Sequence, residues 1–401
     1  SHLPSRPRML PPLAKLKLPA TRVWHCRRQG SELFQGRSVP CPSPARISPI
    51  RYQKKLSTST TAMGKTALDE MSKDGAFKRT DSTFRNAISK DSKEFPPSAG
   101  RYHLYIAYGC PWANRCLAVL HIKGLQDAIG VSIVHPSWAR TRPDDDADLH
   151  CGWQFVDPAT TPTVPSVQGL GALSTEGCVP DTVNNARFVR DLYLMADPTD
   201  ANPKYTVPIL WDKESKTIVN NESSEIMRLL NREFNAFAKN PAVDLCPEAL
   251  LPTIDACNEW TYGINNGVYK CGFATSQQAY DEAEAQLFDL MERAETLLSK
   301  QRYLAGGSMT EADIRLFVTL VRFDEVYVVY FKTNRKCLRE FPNLFNYTKD
   351  VYQFPGVAET VNMQHIKMHY FTSHPKLNSY AIIPRGPGVD FLSVHDRDRF
   401  N

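Results

Sequence analysis

Hydrophobic residues first fall into a regular pattern at residues 101–108 (RYHLYIAY), a run dense in aromatic and apolar side chains that predicts a strand. Gly109 breaks the run, and Pro111 suits the first turn of a helix that continues through WANRCLAVLHIK and stops at Gly124. The segment IGVSIVHP (129–136) predicts a second strand, followed by a polar stretch at 140–149 that reads as an inserted loop. Residues 181–196 carry Val183, Phe188, Leu192 and Met195 at helical spacing. Residues 207–212 (VPILWD) and 217–220 predict short strands across a Lys-Glu-Ser-Lys turn, and 222–234 predicts a helix. The order β-α-β-α-β-β-α is that of an α/β thioredoxin-like fold.

From about residue 245 the strand signals cease. Residues 252–269, 276–300, 310–330 and 344–352 all show helical patterning, so an all-α C-terminal domain follows the α/β one. Thr310 and Asp313 have capping-box spacing, with Met309 and Ile314 at the staple positions. The predicted organisation is a leader at 1–65, an N-terminal arm at 66–100, a thioredoxin-like domain at 101–240, a helical domain at 241–375 and a Pro- and Gly-rich extension at 376–401.

Charge sharpens that division. Residues 1–65 hold thirteen Lys or Arg and one acid, Glu32, which leaves 35 basic and 42 acidic residues for the rest. A basic leader on an acidic body argues against a nucleic-acid partner, whose recognition needs basic residues within the fold. The leader's Arg, Ser and Pro content suits either an organellar transit segment or sequence upstream of an initiator at Met63, leaving a cytoplasmic or organellar, for example mitochondrial, location open. No run approaches the ~18 apolar residues of a membrane span. The ten cysteines lack a repeated Cys-x-x-Cys pair, so neither a zinc site nor a disulfide scaffold is expected.

Cys110 stands at the strand-to-helix junction. Unpaired N–H groups and the helix dipole favour an anion there, which lowers a thiol pKa and makes it a nucleophile; the competing reading is a small buried hydrophobe. Arg115 and His103 are further local positive candidates, and Cys116 reads as core. In Cys110-Pro-Trp-Ala113, Ala occupies the place of a second thiol, so a mixed disulfide must be resolved by an external thiol, with glutathione the abundant candidate. Val207-Pro208 resembles the cis-proline loop that faces the nucleophile in thioredoxin-like folds, where the Val207 backbone would pair with glutathione. Glu222-Ser223 opens a helix and suits a γ-glutamyl group, although both are also ordinary capping residues.

Several motifs together resemble one family. Tyr108-Gly-Cys-Pro-Trp-Ala-Asn-Arg115, Gly152-Trp-Gln-Phe155, Val207-Pro-Ile-Leu-Trp-Asp212, Asn221-Glu-Ser223, Asn265-Asn-Gly-Val-Tyr269 and His365-Ile-Lys-Met-His-Tyr370 are similar to those of the glutathionyl-hydroquinone reductases, or Xi-class glutathione transferases. The resemblance runs from about residue 66 to the C-terminus. It implies glutathione transferase architecture, glutathione as co-substrate without a metal, and a homodimer. It also implies reduction of glutathionyl-hydroquinones through a Cys110–glutathione mixed disulfide, with release of oxidised glutathione. By position, Trp153 would pack on glutathione (with Trp138 its rival), Val207 and Pro208 would bind it, and Glu222 and Ser223 would hold its γ-glutamyl end. Tyr269 and Tyr370 would line the hydroquinone pocket and, as catalytic residues beside Cys110, hydrogen-bond or protonate the departing aromatic carbon system. Lys204 departs from the pattern, replacing a common Arg and losing its planar fork, so a different glutathione contact is expected there.

Three other readings compete: an omega-like thiol transferase or dehydroascorbate reductase, a conventional conjugating transferase, and a non-catalytic binding protein with the same fold. Tyr269 and Tyr370 also suit a helical core with a polar tip. His365 and His369 lie one turn apart but lack a third ligand at recognisable spacing.

Overall fold

Strand β1 (Tyr102–Ile106) is buried along its whole length, as a strand covered on both faces must be. The computed structural model describes residues 75–77, 81–199 and 204–400, all within one compact unit spanning Ser59–Asn401. The basic leader falls outside the described residues.

After β1, helix α1 (Pro111–Lys123) starts with Pro at its first turn and ends at Gly124 in the left-handed conformation (φ 66°), the stop the sequence predicts. Strand β2 (Gly130–Ile133) follows, then mostly irregular chain with two pairs of two-residue strands: β3 (Ala139–Arg140) with β4 (Cys151–Gly152), and β5 (Thr163–Val164) with β6 (Leu173–Ser174). Helix α2 (Val189–Ala196), β7 (Ile209–Asp212), β8 (Thr217–Asn220) and α3 (Ser223–Arg232) complete the mixed half. The sheet order is β2-β1-β7-β8, with β1 parallel to β2 and β7 antiparallel to both its neighbours.

The helix expected over 181–196 begins only at Val189. The Asp181 carboxylate accepts the N–H groups of Val183, Asn184 and Ala186 and the Tyr105 hydroxyl. A side chain that captures nearby backbone donors offers the chain an alternative to helix.

The second half is helical: α4 (Leu251–Phe273), α5 (Gln277–Leu298), α6 (Glu311–Arg322), α7 (Val328–Tyr330), α8 (Pro342–Gln353) and α9 (Met363–Ser373). Between α6 and α7 the chain widens into one π-turn over Phe323–Tyr327. Helix α9 is additional to the four predicted helical segments; every residue from His365 to Ser373 is buried, so it has no polar face to create a period. Among the described residues no helix is long and apolar enough to cross a membrane.

Thr310 and Asp313 form the expected capping box. The buried Asp313 carboxylate accepts the N–H groups of Leu304 and Thr310 at 2.8 Å each, and the hydroxyls of Thr310 and Tyr347. Removing it orphans two buried donors, whereas removing the Thr310 side chain loses one cap. Asp313→Ala should therefore lower stability by roughly 2–4 kcal/mol, and Thr310→Ala by only about 1 kcal/mol, in urea unfolding. Equal effects would contradict this ranking.

Candidate active site

Cys110 is the N-cap of α1: its carbonyl accepts the first helical bond from Asn114, and its side chain makes no capping bond. The thiol is half-buried and donates to the Val207 carbonyl at 3.4 Å. The Val207–Pro208 peptide is cis. The helical half grips the same turn. Arg322, fully buried on α6, donates to the Tyr108 carbonyl at 2.7 Å and to Asn114 Oδ1 at 3.2 Å. A Cβ at Gly109 would lie 2.5 Å from the Cβ of His369, so only glycine lets α9 approach this closely.

On one side of Cys110 lies a polar hollow lined by Glu222, Ser223, Arg115, Arg315, Trp112 and Val207. Glu222 caps α3, accepting from the Ser224 N–H at 3.0 Å and from the Ser82 hydroxyl at 3.1 Å. Burial raises its pKa, but the Ser224 bonds, Arg115 and Ser82 outweigh that, and the net shift is downward. Glu222 thus remains a carboxylate able to meet an ammonium. The Arg115 Nε donates to Ser223 Oγ at 3.1 Å, Glu222 lies 3.8 Å from its Nη2, and its guanidinium sits over the Trp112 ring. His103 is not a positive charge at neutral pH, because burial pushes its pKa down to about 4 and it pairs with Ser132. Cys116 is core, with its thiol 3.4 Å from the Ser223 carbonyl.

The other side is an apolar cavity of about 110 Å³ bounded by Cys110, Lys204, Trp138, Trp153, Tyr269 and Tyr370, with Phe77 of the N-terminal arm and His369 beside them. Trp138 and Trp153 both border it, edge to face at 5.8 Å. The Trp153 ring also lies 4.5 Å from that of His369. His369 donates to the Pro136 carbonyl, and burial lowers its pKa to about 3, so it is neutral. His365 turns elsewhere, to the Glu176 carbonyl. Among the described residues no three His, Cys, Asp or Glu side chains gather as a metal site.

Tyr269 and Tyr370 share a hydrogen bond of 2.6 Å, and Tyr327 adds a second bond to Tyr370 at 2.9 Å. The π-turn supplies Tyr327, a group that helical periodicity alone does not single out, since one extra residue per turn rotates the side chains that follow. Burial raises the pKa of all three, most for Tyr269 and Tyr370, where neighbouring tyrosines oppose ionisation as well. Cys110 as an anion would raise Tyr269 and Tyr327 further, while the Arg322 charge works in the other direction on Tyr327 and Tyr370 without overcoming burial. The result is a half-buried thiol facing a bank of protonated hydroxyls across an apolar space.

A thiol at the first helix of a thioredoxin-like half, closed by a helical half, is the architecture of a cysteine-type glutathione transferase. Models of the glutathione S-transferase N-terminal and C-terminal domains match residues 109–233 and 277–350. Glutathionyl-hydroquinone reductase YqjG of Escherichia coli is 44% identical over 82% of this chain and 94% of its own length. The glutathione-bound structure of that protein superposes with a TM-score of 0.70, covering 79% of this chain and 96% of that one. The Xi-class transferase of Natrialba magadii gives 0.70 at 47% identity, over 79% of this chain and 89% of that one. Glutathione S-transferase omega-like 2 of Schizosaccharomyces pombe is 41% identical over 80% of this chain and 96% of its own. The chain belongs to the glutathionyl-hydroquinone reductases, the Xi class of glutathione transferases. It is an enzyme of glutathione-dependent reduction.

The raised tyrosine pKa values have a direct optical test. Replacing Tyr269, Tyr327 or Tyr370 singly by Phe should leave unchanged the height of the tyrosinate absorbance step near pH ~10, the ordinary phenol range. A smaller step in any variant would mean that its hydroxyl ionises normally.

Proposed function

We propose that the enzyme reduces glutathionyl-hydroquinones to hydroquinones with Cys110 as nucleophile. The Cys110 thiolate attacks the glutathione sulfur of the conjugate. A sulfur–sulfur bond forms, the bond from sulfur to the aromatic carbon breaks, and that carbon takes a proton. A second glutathione, as thiolate, then attacks the mixed disulfide and leaves as oxidised glutathione, restoring Cys110. Conjugate and one glutathione thus give hydroquinone and oxidised glutathione, with atoms and electrons balanced.

The hydroxyl chain of Tyr269, Tyr370 and Tyr327 beside a cysteine nucleophile carries this reading. Simple thiol exchange needs no carbon protonation, whereas carbon–sulfur cleavage does. A phenol held protonated in an apolar cavity is suited to supply it. Glu222 and Ser223 receive the γ-glutamyl end, the backbone of Val207 beside Pro208 receives the cysteinyl part, and Trp153 packs on the tripeptide. Lys204, at the cavity rim, offers a point charge to a glutathione carboxylate.

With glutathionyl-menadiol and glutathione, the wild type should release menadiol catalytically and Cys110→Ala should release none. Tyr370→Phe should slow release by about 10²-fold while its Cys110 still forms a mixed disulfide with oxidised glutathione at the wild-type rate. Rapid mixed-disulfide formation with oxidised glutathione, with no hydroquinone release from the conjugate by the wild type, would favour an omega-like thiol transferase instead.

A further inference from the structure

The two elements that carry Tyr327 and Tyr370 are joined by a buried ion pair that the reaction itself does not use. Glu325 lies in the π-turn two residues before Tyr327, and Lys367 lies on α9 one turn before Tyr370. Their side chains are nearly inaccessible, and Lys367 Nζ donates to Glu325 Oε2 at 3.1 Å. The pair is completed by the C-terminal extension. Lys367 Nζ also donates to the carbonyls of Arg385 at 2.9 Å and Gly386 at 2.8 Å, and the Val389 N–H donates to Glu325 Oε1 at 2.5 Å. An ammonium has three donors, and all three are used, two of them on the extension.

The extension is anchored at both ends. Asn378 Nδ2 donates to the Phe371 carbonyl on α9. Arg397, fully buried, donates to the carbonyls of Leu298, Gln301 and Arg302 at the end of α5. A cation at a helix C-terminus satisfies orphan carbonyls and complements the dipole, so this is a firm attachment. Between the anchors, the Arg385 and Gly386 carbonyls and the Val389 N–H go to the pair that links the π-turn to α9.

We propose that residues 385–389 are a strap that sets the spacing of Tyr327 and Tyr370, and that Lys367 and Glu325 are positioning residues for hydroquinone release. The inference rests on the reading of the tyrosines as proton source. A buried charge pair holds tightly only when its remaining donors and acceptors are satisfied, and here the strap satisfies them. The 2.9 Å contact between the Tyr327 and Tyr370 hydroxyls therefore depends on chain that never meets the substrate.

The test compares full-length wild type with Lys367→Met and with Glu325→Gln/Lys367→Met, which removes both charges and so avoids an unpaired buried carboxylate that opposes folding. Glutathionyl-menadiol is the substrate, dithiodipyridine measures Cys110 reactivity, and tyrosinate absorbance is followed against pH. In the paired variant, kcat for menadiol release should fall about tenfold or more, with KM and the Cys110 reaction rate within about twofold of wild type. Its tyrosinate step should also gain amplitude at lower pH, as the hydroxyl chain loosens. Release and tyrosine titration both unchanged, or release and Cys110 reactivity lost in proportion, would overturn the strap. If the wild type releases no menadiol, the functional reading falls, and the tyrosine titration alone decides: earlier ionisation in the paired variant upholds the strap, and an unaltered curve overturns it.

Discussion

The site depends on how the helical half holds the turn before Cys110. Arg322 brings a full charge into the interior and spends its donors on the Tyr108 carbonyl, Asn114 and its own helix. His369 presses on Gly109 from α9. A nucleophile at a helix N-terminus is effective only if the helix end stays where the substrate sulfur will be. Here the elements that form the aromatic cavity also immobilise that end, so the reacting groups are aligned by one set of contacts.

The same burial divides the electrostatics of the site into two regions. Towards Glu222 the surroundings are polar, and hydrogen bonds from Ser224 and Ser82, with the Arg115 charge nearby, keep a carboxylate charged. Towards the tyrosines there is little to stabilise charge, and the hydroxyls and His369 are held neutral. One end can recognise a zwitterionic peptide, while the other can retain protons beside an apolar ring. A conjugate with a glutathionyl part and an aromatic part has the same division.

Much of this was legible in the sequence because it rests on local rules. The strand–Gly–Cys–Pro–helix junction, the Gly124 stop, the Thr310–Asp313 box and the Glu222 cap are each decided within a few residues. What was not legible depends on distant partners. Arg115 and His103 are positive candidates by their nearness in sequence, but their orientation is set by distant partners: Arg115 donates to Ser223, and His103 bonds to Ser132. Asp181 diverts the chain from helix by collecting backbone donors. Tyr327 enters the site through a π-turn, and α9 hides its helical period by being buried all round. Trp138 and Trp153, posed as rivals, both border the cavity.

The central claim is that carbon–sulfur cleavage passes through a covalent Cys110–glutathione intermediate. The most direct measurement mixes enzyme with excess glutathionyl-menadiol in the absence of free glutathione and follows menadiol release alongside the intact protein mass. The account predicts one equivalent of menadiol per chain and a matching glutathione adduct at Cys110, discharged when glutathione is added. Continued menadiol release without added glutathione, or release with no adduct, would contradict it.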